Sequence, residues 1–345
     1  MIDTFEIRLT TAYSVVDLLS RELGKEIQFR NNFCKLTNPL EQPGVRAINI
    51  TRQKNSNKYS IAIEINPTEL LKGVPSIELF HCSKENVEDL KQALNEVLLS
   101  IHPYFSIKSR KWNLSRVDYA RQFYTSHVEL YTVLESKGPV PYRFKSLQKQ
   151  GSTYNECKSS RINAYNKGDQ LTKTNSSEAL KQDASGLYRF EYQCLDTRYL
   201  CNKYEIAPSE LFGLFKEDIA LEVLKAQHAR HIKVGDYYTY DEAAKRINGI
   251  EGKRQQTKDQ ALEVLTFIES AGSLPNALQL IRNDSESVPE RFRGAYSERS
   301  YEILKDRFNE FIREHLCKEG INPVLLPRKS DIKLLPNTSS RLFTA

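Results

Sequence analysis

The sequence predicts an α+β protein, an antiparallel-rich sheet domain with helices on one face followed by a mainly helical C-terminal domain. Three observations predict it. Strand-like runs with period-two alternation are concentrated before about residue 195. The turn-forming Asn55-Ser56-Asn57 joins two such runs, Ala47–Lys54 and Lys58–Asn66, as an antiparallel hairpin. From about Ser209 onward the pattern changes to helices with few strand signals.

The first strand reads from Asp3 to Thr10. After the hairpin comes an amphipathic helix with Ser83 as N-cap and Glu85 in its first turn. Val87, Leu90, Leu94, Val97, Leu98 and Ile101 recur along it at helical spacing. A strand follows over Trp112–Phe123 and a helix over Val128–Ser136. Gly138-Pro139 then opens a long polar stretch reaching about Ser160. Two further strands, Arg161–Lys167 and Leu187–Cys194, flank the Ser/Thr/Lys-rich segment Gly168–Ser185. The C-terminal helices are expected over Asp218–His231, Asp241–Ile247, Lys258–Ser270 and Ser297–Lys318. The division is drawn as 1–207 and 208–345, with its boundary near Ile206–Ser209.

Composition limits the class of function only loosely. Lys and Arg outnumber Asp and Glu by 50 to 44, and the net charge of +6 permits nucleic acid as a partner without demanding it. No apolar stretch has the length of a membrane span and no secretory signal is visible, so the expectation is a cytoplasmic protein without a membrane partner. The six cysteines are scattered with no C-x-x-C pair, against a zinc site or a disulfide framework.

Alternation along the strands places charged residues together. Glu64 lies opposite the face formed by Ile61, Ile63 and Ile65. Arg116 and Asp118 oppose Val117 and Tyr119, while Arg189, Glu191 and Gln193 oppose Tyr188, Phe190, Tyr192 and Cys194. On the remaining strand, Arg161, Asn163, Tyr165 and Lys167 share a side. A half-buried antiparallel sheet gives such a pattern without any function. Should the strands be neighbours, Glu64, Asp118 and Glu191 would converge beside Tyr165 and Lys167. Oxygen ligands of that kind suit a hard divalent ion, Mg²⁺ or Mn²⁺. No two histidines flank a single residue. His228 and His231, one helical turn apart, read as a solvated helix face. The polar stretch carries Lys137, Arg143, Lys145, Lys149, Lys158 and Arg161 with Tyr142 and Phe144 between them, a pattern suited equally to single-stranded DNA and to a solvated loop.

Five segments resemble the gene II replication initiators of filamentous bacteriophages, in the phage/plasmid replication protein family. They are MIDTFEIRLT at the start, IEINPTELLKG (63–73), LSRVDYA (114–120), SRINAYNKGDQL (160–171) and SGLYRFEYQCLDTRYL (185–200). The similarity is distant to rolling-circle plasmid initiators and to conjugative relaxases that lack the two-histidine motif. It fades after TRYL, so it transfers no role to the C-terminal helices.

The resemblance implies a rolling-circle DNA replication initiator that nicks one strand at an origin and rejoins it through a 5′-phosphotyrosine. It implies Tyr165 as nucleophile, Lys167 beside it, and Asp118 and Glu191 as the acidic positions, with Glu64 the third metal candidate. Arg116, Arg143, Lys145, Lys149, Arg161 and Arg189 are the expected DNA contacts. Origin DNA, double- and single-stranded, is the expected partner, with helicase and DNA polymerase supplied by a bacterial host cell. The competing readings are a plasmid initiator or conjugative relaxase of the same chemistry, and a non-catalytic DNA-binding protein whose tyrosine strand is structural.

Overall fold

The computed structural model describes residues 1–343 except 55, 142, 148–151, 175 and 208–209. The nine strands of its main sheet are β1 (Ile2–Ala12), β2 (Phe33–Thr37), β3 (Val45–Arg52), β4 (Lys58–Ile65), β5 (Asn113–Tyr124), β6 (Lys145–Ser146), β7 (Ser152–Glu156), β8 (Ser160–Asn166) and β9 (Leu187–Cys194). They lie in the order β2-β3-β4-β1-β5-β9-β8-β7-β6, every neighbouring pair antiparallel. The expected hairpin is β3–β4, although Asn55 of its turn lies outside the described residues.

Helices of the first half are α1 (Tyr13–Leu23), α2 (Pro67–Lys72), α3 (Lys84–Ile101), α4 (Val128–Ser136), α5 (Lys167–Lys173), α6 (Glu178–Asp183) and α7 (Arg198–Lys203). The second half holds α8 (Glu217–His231), α9 (Tyr240–Asn248), α10 (Gln255–Ala271), α11 (Leu274–Arg282), α12 (Glu298–His315) and α13 (Thr338–Leu342), plus the two-residue pair β10 (Tyr237–Tyr238) and β11 (Leu334–Leu335). None of the described helices is long and apolar enough to cross a membrane. The protein is therefore α+β, with a helical C-terminal region.

One face of the sheet is apolar because alternate residues of each strand are. Phe5, Ile7 and Leu9 of β1, Ile61, Ile63 and Ile65 of β4, and Tyr188 and Phe190 of β9 are all buried on it. Helix α8 packs against β5 and β9, α4 stacks Tyr131 on Phe123 and Tyr188, and α13 returns to β5. Apolar packing is continuous from Ile2 to Leu342, so sheet and C-terminal helices share one core. Of the boundary expected at 207/208, residues 208 and 209 lie outside the described residues.

Several elements differ from the sequence reading, which placed neither α1 nor β2 nor the short helices α6 and α7. The long polar stretch contains β6 and β7; β7 was missed because its inward residues are Thr153 and Asn155 rather than aliphatics. Lys167 is not a strand residue but opens α5, whose N-cap Asn166 accepts a hydrogen bond from the Gly168 amide at 3.0 Å. His228 and His231 are buried, not solvated. His228 Nε2 lies 2.8 Å from Thr338 Oγ1 and His231 Nδ1 lies 3.2 Å from Asn155 Nδ2. Burial holds both rings neutral, their pKa values lowered to about 3.

The same apolar face encloses a carboxyl. Glu135 of α4 accepts hydrogen bonds from Tyr188 Oη at 2.6 Å and from Thr338 Oγ1 at 2.8 Å, tying the C-terminal segment to β9. Burial pushes its pKa from 4.5 up to about 8, against the two hydrogen bonds. Between those values the unfolded chain loses the proton while the folded one keeps it, so this group's stabilisation is full below about pH 4.5 and is lost as pH rises through about 8. Glu135→Gln, which cannot ionise, should flatten that slope. Relative to wild type, its melting temperature is expected to rise between pH 5 and pH 8, by an amount worth roughly a few kcal/mol at most. Parallel melting profiles for the two proteins across that range would contradict a protonated Glu135.

Candidate active site

The opposite face of the sheet is polar and forms the floor of a cleft of about 320 Å³. Its walls include Asp3, Arg46, Glu64, Arg116, Tyr154, Asn163, Tyr165, Lys167, Gln170, Lys173 and Glu191. Antiparallel register accounts for the convergence. Tyr165 of β8 lies opposite Arg189 of β9, Asn163 opposite Glu191, and Glu191 opposite Ala120 of β5, while Asp118 stands opposite Thr4 of β1. Side chains directly opposite share a face, so the alternation seen along each strand becomes one continuous surface.

Tyr165 donates from its hydroxyl to Glu191 Oε2 at 3.2 Å. The other oxygen of Glu191 accepts from Gln193 Nε2 at 2.7 Å. Burial, and then the Glu191 charge, raise the Tyr165 pKa well above 10, so the resting group is a neutral phenol whose proton already points at a base. Lys167 is buried, with Nζ 6.0 Å from the centre of the Tyr165 ring. Burial, then the neighbouring Arg189 charge, lower its pKa from 10.5 to about 8, while Asp3 and Glu191 oppose the shift.

Asp118 and Arg189 differ from their expected roles. Asp118 is fully buried and does not line the cleft. Arg116 Nε donates to its Oδ1 at 2.8 Å, and both Arg116 Nη2 and the Thr4 hydroxyl donate to its Oδ2. Burial pushes its pKa up, against the pull of Arg116 and the Thr4 hydrogen bond. Arg116 also approaches Glu64 at 3.8 Å. The cation among these carboxylates is thus a guanidinium. Among the described residues no group of three acidic, histidine or cysteine side chains is placed to hold a metal ion. The set Asp118, Glu191 and Glu64 does not fit the expected Mg²⁺ or Mn²⁺ centre.

Arg189 is not a DNA contact. It is 0% exposed. Its guanidinium donates to Asp3 Oδ1 at 2.7 Å, to Gln122 Oε1 at 2.9 and 2.6 Å, and to the Ile77 carbonyl at 2.5 Å. Of the other expected contacts, Arg116 lines the cleft, whereas Arg143 and Lys145 are exposed and Arg161 pairs with Glu156 at 3.2 Å, none of the three among its walls. Lys149 lies outside the described residues.

The sequence reading did not single out Asp3 or Arg46. Each sits at a register shift, between Ile2 and Thr4 in β1 and between Val45 and Ala47 in β3. An extra residue in one strand re-aims a side chain that simple alternation would assign elsewhere. Gly44, at φ +89°, allows the start of β3 to approach α2 so closely that a Cβ there would meet the Leu70 backbone at 2.4 Å. Arg46 then reaches Glu69 at 3.2 Å. No family model matches the chain, and no curated protein matches it either. The resemblance to gene II initiators therefore rests on the five motifs.

Proposed function

We propose that this protein nicks and rejoins a single strand of DNA through a covalent bond between Tyr165 and a 5′-phosphate, as a rolling-circle replication initiator would. The observation that carries the reading is the Tyr165–Glu191 hydrogen bond in a cleft that also presents Lys167, Arg116 and Arg46. A phenol with its proton on a carboxylate is a nucleophile with a built-in base. Cations around it suit a phosphodiester, whose charge grows at the attacking and leaving oxygens.

In the proposed step Tyr165 Oη attacks phosphorus and its proton passes to Glu191. The bond from phosphorus to the 3′ oxygen breaks, and the Lys167 ammonium supplies the proton that makes a free 3′-OH. The phosphotyrosine remains a phosphodiester, so a 3′-OH can later displace the tyrosine with the same groups acting in reverse. Rejoining then needs no external energy source. Arg116 is held by Asp118 and Glu64, which fixes its position at the expense of some of its charge. Arg46 is likewise held, by Glu69.

The direct test is to incubate the protein with supercoiled DNA of its own replicon and look for a detergent-resistant protein–DNA adduct. Adduct mapped to Tyr165 would support the reading; nicking without adduct, or adduct on another residue, would remove it. The Lys167 role adds a pH signature. If its charged form donates the proton, single-turnover cleavage should fall as pH rises above about 8, tenfold per unit once well past that value. Lys167→Arg should move the fall to higher pH, and a fall left in place would remove Lys167 as the donor.

A further inference from the structure

Two amide side chains flank the nucleophile with their oxygens unused. Asn163 stands on the same face of β8 as Tyr165, two residues away, a separation of about 7 Å. Gln170 lies one turn along α5 from Lys167, and both line the cleft. Asn163 Oδ1 and Gln170 Oε1 are buried and have no hydrogen-bond partner among the described residues. A buried amide oxygen without a donor costs roughly 1–3 kcal/mol, so two of them at one site call for a donor from outside the chain. Directly across from Asn163 on β7 is Tyr154, whose ring also lines the cleft.

We infer that Asn163 and Gln170 form a base-reading subsite that takes an unpaired adenine adjoining the phosphate attacked by Tyr165. This deepens the proposed function and rests on it for the location of that phosphate. A carboxamide presents an acceptor beside a donor, and adenine returns the complementary pair, its exocyclic amine beside a ring nitrogen. The unsatisfied oxygens call for an amine donor in particular. Thymine has no amine and only one ring N–H on that edge, so in place of adenine it satisfies at most one of the two oxygens. Tyr154 supplies an aromatic face, which favours an unpaired base of any kind and adds affinity without choice. Choice falls to the amides.

The test uses the full chain carrying Tyr165→Phe, so that DNA is held and not cut, with fluorescent eight-nucleotide single strands. The probes are oligodeoxyadenosine, oligothymidine, and an oligomer of unsubstituted purine deoxyriboside, which stacks as adenine does but has no amine. Oligodeoxyadenosine should bind about tenfold more tightly than either of the others. Adding Asn163→Ala or Gln170→Ala should bring the three within about twofold of one another, with melting temperatures showing that each variant folds. Equal affinity for adenine and amine-free purine, or a preference untouched by both substitutions, would overturn the subsite. The preference in a chain whose wild type forms no Tyr165 adduct would sink the nucleophile and leave the subsite standing; an adduct without the preference would do the reverse.

Discussion

Tyr165→Phe is expected to abolish adduct formation and strand cleavage, a loss of at least about 10⁴-fold, because it deletes the reacting oxygen. The fold should hardly register the change. One hydroxyl-to-carboxylate hydrogen bond is lost, worth about 1–2 kcal/mol, and Glu191 keeps its bond from Gln193. Affinity for single-stranded DNA should remain within about twofold, since phosphate contacts and stacking are untouched. The measurement is single-turnover cleavage of supercoiled replicon DNA beside a binding titration. Cleavage reduced only a few-fold would make another group the nucleophile. If binding fell with cleavage, Tyr165 would hold the strand rather than cut it.

Arg189→Met is expected to have the largest effect on the fold of any substitution near the site. Its guanidinium is enclosed with Asp3, Gln122 and the Ile77 carbonyl as acceptors. Removing it leaves the buried Asp3 carboxylate without its hydrogen-bonded cation, with Lys167, Arg46 and Arg116 acting on it only through space, a change that costs on the order of 3–5 kcal/mol. Melting should fall by on the order of 10 °C. Cleavage should suffer as well, since β9 carries both Arg189 and Glu191. Asp3→Asn combined with Arg189→Met should recover part of the stability, which a double-mutant cycle would read as coupling between the pair. A surface contact to DNA would behave otherwise: melting unchanged, and the salt dependence of binding shallower by about one counterion. That outcome would restore Arg189 to the DNA-binding set.

Much of the architecture is local and was legible for that reason. Ile61, Ile63 and Ile65 alternate within a few residues, and Ser83 caps α3 through the Asn86 amide, so strand and helix could be read without knowing their neighbours. The same alternation put Tyr165, Asn163, Glu191 and Glu64 on the faces that meet in the cleft. What stayed hidden depends on partners far along the chain. Whether Arg189 faces solvent or a buried aspartate 186 residues away is identical in the strand pattern. The shifts that aim Asp3 and Arg46 inward belong to the pairing between strands, not to either strand alone. His228 and His231 read as solvated because their partners, Thr338 and Asn155, arrive from other elements.

If the proposed function holds, the strand order bears on when the protein can first act on DNA. The floor of the cleft needs β1, β5, β9 and β8 side by side, drawn from residues 2–12, 113–124, 187–194 and 160–166. On a ribosome, β1 has no central neighbour on its β5 side until more than a hundred further residues have been made. Glu191, the proposed base for Tyr165, is synthesised 26 residues after it. Closing contacts over such sequence separations is slow. Under the proposed function, a nascent or partly degraded chain would carry the tyrosine without the machinery to use it, and cutting would be confined to protein that has finished assembling its sheet.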